Sequence, residues 1–188
     1  MIILASQSPR RKALLAELVP RFTIQPADID ESVRLGETAI PYVKRMAAEK
    51  AAVVATNYPD DVVIACDTTV AIDGEILGKP IDRQDAYRML RLMSGRKHWV
   101  HTAVYLQKGD HQETAVVSAE VLFSSLTEAV IQHYLDLNEY QDKAGGYGIQ
   151  GAAKVFVEAI QGDFYTIVGF PVNTVNRLLA EFPEEAIK

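Results

Sequence analysis

In the stretch ILASQSPRRKALL (residues 2–14), two adjacent arginines, Arg10 and Arg11, follow Ser8-Pro9 in a chain whose net charge is −6. Ser8 suits a helix cap and Pro9 the first helical position, where its missing N–H costs nothing. Such a helix start presents unpaired N–H groups and a positive dipole end, which together favour an anion. Cations there are disfavoured by roughly a few tenths of a kcal/mol each. The pair is therefore either a solvated face or the grip on an anion, and a phosphate offsets the cost at both positions. Lys50 is a second anomaly. Val43, Met46, Ala47, Ala51 and Val54 trace one apolar stripe at helical spacing, and Lys50 lies inside it. Either its stem snorkels, or its ammonium emerges in a cleft to meet an anionic ligand. Asp67 is the third. It closes the buried-type run VVIACD (62–67) and precedes Thr68 and Thr69. Ligands collect outside the carboxyl ends of strands. A carboxylate there can hold a divalent metal, take a proton from water, or form a turn.

Other polar residues carry weaker signals. Lys79, in LGKP, projects from a loop held by a proline. Asp28, Asp30 and Glu31 crowd another loop, either solvated or contributing to a metal site. His98 and His101 lie three apart on a predicted strand and so face opposite sides, which excludes a shared metal from that strand. Cys66 has no base beside it and reads as a small buried residue; as the single cysteine of the chain it permits no internal disulfide. Residues 146–151, GYGIQG, match the dinucleotide fingerprint G-x-G-x-x-G. That fingerprint works between a strand and a helix, whereas here a polar loop precedes it and strand-like sequence follows. The glycines suit a loop whose backbone approaches a ligand, with Gln150 offering both donor and acceptor to a base edge.

The elements that must position these groups alternate along 188 residues, of which 48% are hydrophobic and 23% charged, ordinary for a globular protein. A strand at 2–5, a helix from Pro9 to Leu18 and an extended stretch at 22–27 precede a long helix from Ile40 to Thr56. The strand at 62–67 leads to a hairpin signal at Asp73-Gly74. Asp82 caps a helix over 83–94 that Gly95 ends. Two strands flank a KGDH turn, and in the second Val117, Ala119, Val121 and Phe123 alternate with polar neighbours. Thr127 caps the next helix. After the polar loop at 138–151, AKVFVEAI and FYTIVGF read as strands, and Pro171 opens a last helix. This order predicts a mixed α/β (α+β) domain with a large curved sheet. The acidic balance, with a pI of about 5.2, argues against a nucleic-acid partner. No apolar run approaches the ~20 residues that span a membrane. A cytoplasmic location is expected.

Taken in order, LASQSPRR (4–11), AAEKA (47–51), ACDTTV (65–70), LGKP (77–80), SGRKHWVHTAV (94–104), DKAGGYGIQG (142–151) and GDFYTIVGFP (162–171) resemble the Maf family of nucleoside triphosphate pyrophosphatases. The wording of the 142–151 segment is similar to the branch acting on dTTP and UTP, departing at Gly146, where alanine is usual. The resemblance implies a mixed α/β fold with an elongated, curved sheet flanked by helices, similar to the inosine triphosphate pyrophosphatases. It further implies one domain over 1–188 with a substrate cleft between two lobes, and a homodimer. The implied reaction splits the bond between the α- and β-phosphates of dTTP and UTP, and of CTP or modified pyrimidine nucleotides, with Mg²⁺ or Mn²⁺. Carried over by position, Asp67 is the proton acceptor or a metal ligand, with Glu31 as a second acidic contributor. Ser6, Arg10, Arg11, Lys50 and Lys79 bind phosphate, and Arg10, Thr68 and Gln150 bear on substrate choice. The implied role is nucleotide-pool housekeeping or cell-division arrest. A non-catalytic nucleotide-binding regulator is the rival, disfavoured because binding alone does not need a carboxylate beside a polyanion.

Overall fold

The structure, a computed structural model, describes residues 1–182; the expected domain limit at residue 188 lies outside the described residues. The chain runs β1 (Ile2–Leu4), α1 (Pro9–Leu18), β2 (Thr23–Ile24), α2 (Ala39–Ala55), β3 (Val62–Ile72), β4 (Glu75–Leu77), α3 (Arg83–Met93), β5 (Lys97–Lys108), β6 (His111–Phe123), α4 (Glu128–Asp136), β7 (Val157–Gln161), α5 (Phe164–Val168) and α6 (Val172–Leu179). The strands form one seven-stranded mixed sheet in the order β2-β1-β3-β5-β6-β7, with β4 also paired to β3. β2, β1 and β3 are parallel, and the remaining pairs are antiparallel.

β3 organises the molecule because both of its faces are covered, which is why Val62–Cys66 is an unbroken apolar run. Its even-numbered side chains, Val62, Ile64, Cys66, Val70 and Ile72, join the larger core with residues of α1, α3, α4 and α6. Its odd-numbered Val63 and Ala65 pack with Ala51, Val54 and Ala55 of α2. Residue parity along β3 therefore decides which layer a side chain enters.

One edge of β3 is interrupted. β1 pairs with it through Leu4↔Ile64, and Ala5 N–H donates to the Ile64 carbonyl at 2.8 Å. β4 takes up the same edge at Val70↔Leu77, after a hairpin whose Asp73 and Gly74 have φ of 52° and 80°, as the sequence predicts. Between these pairings, residues 65–69 have no strand beside them on this edge among the described residues. Because Ile64 points its carbonyl to this edge, alternation turns the backbone N–H and C=O of Cys66 and Thr68 to it as well.

Three expectations are corrected. β3 does not end at Asp67; β5 pairs it from Val63 to Ala71, so Asp67 lies in mid-strand. FYTIVGF is helical, not a strand. The Asp163 carboxylate accepts from Thr166 N–H at 2.7 Å and Thr166 Oγ1 at 2.9 Å, and Gly169 at φ 103° closes the turn, so caps at both ends override the β-branched composition. The strand expected from Ala153 starts only at Val157. Ala153 and Phe156, three apart, are both buried, the spacing of the 3₁₀ turn that the chain forms there. Among the described residues no helix is long and apolar enough to cross a membrane.

Candidate active site

The interrupted edge of β3 opens into a cavity of about 1000 Å³ whose walls include every residue that the family resemblance assigns to the site, Ser6, Arg10, Arg11, Glu31, Lys50, Asp67, Thr68, Lys79 and Gln150, together with Asp28. Parity sorts the two β3 residues. Asp67 is odd and turns toward α2; Thr68 is even and turns toward α1.

On the α2 side, Lys50 emerges from its apolar stripe, with a side chain only 12% exposed, and holds two carboxylates. Its Nζ lies 2.6 Å from Asp67 Oδ1 and 2.7 Å from Glu31 Oε1. Glu31 reaches on to Lys79 Nζ at 2.7 Å through its other oxygen. Burial alone would raise the Glu31 carboxyl, but hydrogen bonds and charge from both lysines outweigh it and hold the group down to about 2. Tyr42, two helical turns before Lys50, donates its hydroxyl to the Glu31 carbonyl at 2.8 Å. Burial first, then the Asp67 and Glu31 charges, push this phenol up to about 12.

On the α1 side, Ser8 caps the helix by accepting from Arg11 N–H at 3.4 Å, with Pro9 in the first turn. Arg11 is not simply directed at an anion. Its guanidinium donates to the Gly169 carbonyl at 2.9 Å, Thr68 Oγ1 at 3.1 Å and Ser6 Oγ at 3.3 Å. Thr68 Oγ1 is also 2.9 Å from Thr102 Oγ1, which donates to the Thr166 carbonyl at 2.8 Å. A Cβ at Gly169 would stand 3.0 Å from Thr68 Oγ1 and 3.7 Å from the Arg11 guanidinium, so the close approach of this loop depends on glycine. Arg10 remains in the cavity wall, lowered from its usual value by burial and then by the Arg11 charge.

The structure adds residues that sequence reasoning missed. Lys143 and Asp142 line the cavity, and burial followed by the Arg10 charge lowers the Lys143 ammonium. A lysine heading the glycine-rich loop was the available signal. Tyr42 offered another, a hydroxyl four and eight residues from Met46 and Lys50 in the same stripe. Other candidates fall outside. Asp30 is exposed and accepts from Ser32 N–H at 2.9 Å. His98 and His101 face opposite sides of β5, bonded to Tyr147 and Ser118. Cys66 is fully buried, and burial pushes its thiol up to about 11, far from a reactive thiolate.

Chemically, cations that depress one another in a concave wall attract a polyanion. Among the described residues, no group of three or more His, Cys, Asp or Glu is arranged to hold a metal ion. Asp67 and Glu31 nonetheless converge on one cation, the Lys50 ammonium, and are the hard oxygen donors that Mg²⁺ or Mn²⁺ takes.

Comparison with known proteins places the chain. It is 49% identical over 179 residues to the dTTP/UTP pyrophosphatase of Latilactobacillus sakei, covering 95% of this chain and 99% of that one. It is 48% identical over 181 residues to the dTTP/UTP pyrophosphatase of Bacillus velezensis, covering 96% of each. Among solved structures, the Ham1 protein of Staphylococcus aureus is a loose likeness, with a TM-score of 0.44 at 18% identity over 64% of this chain and 69% of that one. The Maf-like protein family matches residues 1–182, the whole of the described chain, and the protein belongs to that family.

Proposed function

We infer that the protein is a nucleoside triphosphate pyrophosphatase that hydrolyses dTTP and UTP to the nucleoside monophosphate and pyrophosphate. The observation that carries this reading is a carboxylate, Asp67, facing a cavity whose wall also holds Arg10, Arg11, Lys50, Lys79 and Lys143. A triphosphate needs several positive groups, and hydrolysis needs a proton acceptor beside them. The relatives named dTTP/UTP pyrophosphatase support the substrate class.

In this reading water attacks the α-phosphorus, the bond from that phosphorus to the oxygen bridging to the β-phosphate breaks, and pyrophosphate leaves. Asp67 takes the proton from the attacking water, or orients that water while ligating a metal. Arg10, Arg11, Lys50 and Lys79, with Ser6, bind the phosphates and stabilise the charge that builds on the leaving group. A divalent cation held by Asp67, Glu31 and phosphate oxygens would neutralise phosphate charge and acidify bound water. Lys50, whose ammonium pairs with both carboxylates, would then offer its charge to the phosphates. Arg10, Thr68 and Gln150, all in the cavity wall, bear on the choice of substrate. The reading makes residues 1–188 one domain acting in the cytoplasm on free nucleotides.

The test is a panel of nucleoside triphosphates assayed with Mg²⁺ and with Mn²⁺, with product analysis. Monophosphate and pyrophosphate from dTTP and UTP are expected. Diphosphate with orthophosphate would mean a different bond is cut, and nucleotide binding without turnover would mean a regulator.

A further inference from the structure

His98 and Tyr147 are not used by the hydrolysis itself, yet they join β5 to the glycine-rich loop of the cavity. Alternation turns His98 into the larger core, where it is 1% exposed. Its ring meets Phe123 edge-on at 4.7 Å and Tyr147 at 5.5 Å between centroids. His98 Nε2 lies 2.7 Å from the Tyr147 hydroxyl. Polar groups this deep are costly unless they satisfy each other. Burial pushes the imidazole down to about 4, with the Arg96 backbone opposing, and burial raises the Tyr147 phenol. A neutral ring therefore faces a neutral phenol. Nδ1 has no partner, so Nε2 is the one ring nitrogen that is satisfied, by accepting from or donating to the Tyr147 hydroxyl according to the tautomer.

Tyr147 also lines the cavity, three residues before Gln150. The loop is anchored upstream by Gly145 N–H to the Gly78 carbonyl at 3.1 Å and by the Tyr134 hydroxyl to the Gly146 carbonyl at 3.0 Å. Downstream, Ala152 N–H donates to Glu139 at 2.8 Å. Gly146 at φ 72° and Gly148 flank Tyr147 and have no side chains with which to fix the segment. We propose that His98 and Tyr147 are positioning residues for substrate choice, their buried hydrogen bond fixing residues 147–150 over the cavity and so setting where Gln150 meets the base. This rests on the cavity being a nucleotide site.

Tyr147→Phe keeps the ring and removes the hydroxyl. His98→Leu keeps most of the volume and removes the hydrogen-bond partner, and His98→Gln puts an amide, both donor and acceptor, near the Nε2 position. Steady-state kinetics with dTTP, UTP and dGTP should show Tyr147→Phe and His98→Leu raising KM for dTTP about three- to tenfold, the size of one neutral hydrogen bond. In both variants kcat should hold within about twofold, and discrimination of dTTP from dGTP should narrow. The double variant should be no worse than the worse single one, and His98→Gln should recover most of the loss. Unchanged discrimination, or a fall in kcat at constant KM, overturns the proposal. Amide hydrogen exchange on the ligand-free protein reads the same pair without turnover. Residues 147–151 should exchange faster in Tyr147→Phe while β3 and β5 keep their protection, and equal exchange overturns the proposal. Absence of pyrophosphate release by the unaltered protein would sink the proposed function instead, and exchange would still decide the pair.

Discussion

Asp67 and Thr68 are consecutive on β3, and the two ends of the cavity they serve hold their cations in opposite ways. At the Asp67 end, Lys50 is met by two carboxylates at 2.6 and 2.7 Å, so its charge is offset within the protein. At the Thr68 end, Arg11 is met by Ser6 Oγ, Thr68 Oγ1 and the Gly169 carbonyl, all neutral. Arg11 is fixed in place with its full charge still available to an anion. The difference teaches how one strand divides labour. The ionic end can exchange partners when phosphate or metal arrives, and so suits proton and metal handling. The neutral end is a rigid scaffold that presents charge. The interrupted edge between β1 and β4 lets both faces of one strand border one cavity.

If the ionic end carries the chemistry, Asp67→Asn has the largest effect of any single change. Turnover should fall by about 10²- to 10⁴-fold, the range for loss of a general base, while calorimetry shows nucleotide affinity within about threefold. Near-normal turnover would remove Asp67 from the mechanism and leave the ionic end structural. The neutral end is tested by Arg11→Lys, which keeps the charge but not the planar fork. A lysine cannot reach Ser6, Thr68 and Gly169 together. Urea unfolding should show a loss of about 2 kcal/mol, since hydrogen bonds to a charged group are worth more than neutral ones. A variant as stable as the parent would break the view of Arg11 as scaffold.

The anomalies that sequence exposes are residues breaking a local rule. Arg10 and Arg11 oppose a helix dipole, Lys50 interrupts an apolar stripe, and Asp67 interrupts an apolar strand; all line the cavity. Their partners were not legible. Arg11 bonds Gly169 across 158 positions, a contact that exists only once α5 closes on Gly169, and α5 itself was hidden because the composition of FYTIVGF outweighed the Asp163 cap. The side on which Asp67 points depends on α2 covering the odd face of β3. The cavity depends on where β1 stops and β4 begins, a pairing boundary that no residue type announces. The hairpin at Asp73-Gly74 and the caps at Ser8, Asp82 and Thr127 were legible because each is a local hydrogen-bond or φ requirement.

The smallest effect sharpens the comparison most, because only the ionic end should respond to acid. Glu31 has a folded pKa of about 2 against a usual 4.5; burial opposes the drop, and Lys50 and Lys79 outweigh burial. A depressed carboxyl adds stability that is fully present above its unfolded value of 4.5 and is lost as pH falls toward about 2. The side chain is 37% exposed, so solvent screening reduces the contribution to about 1 kcal/mol. Glu31→Gln cannot titrate. In urea unfolding at matched pH, the parent should exceed this variant by about 1 kcal/mol near pH 6, with the gap closing as pH approaches 2, where a protonated Glu31 and a glutamine are alike. A gap that persists undiminished at pH 2 would mean that Glu31 stabilises through shape instead of charge, and the contrast between an ionic and a neutral end would fail.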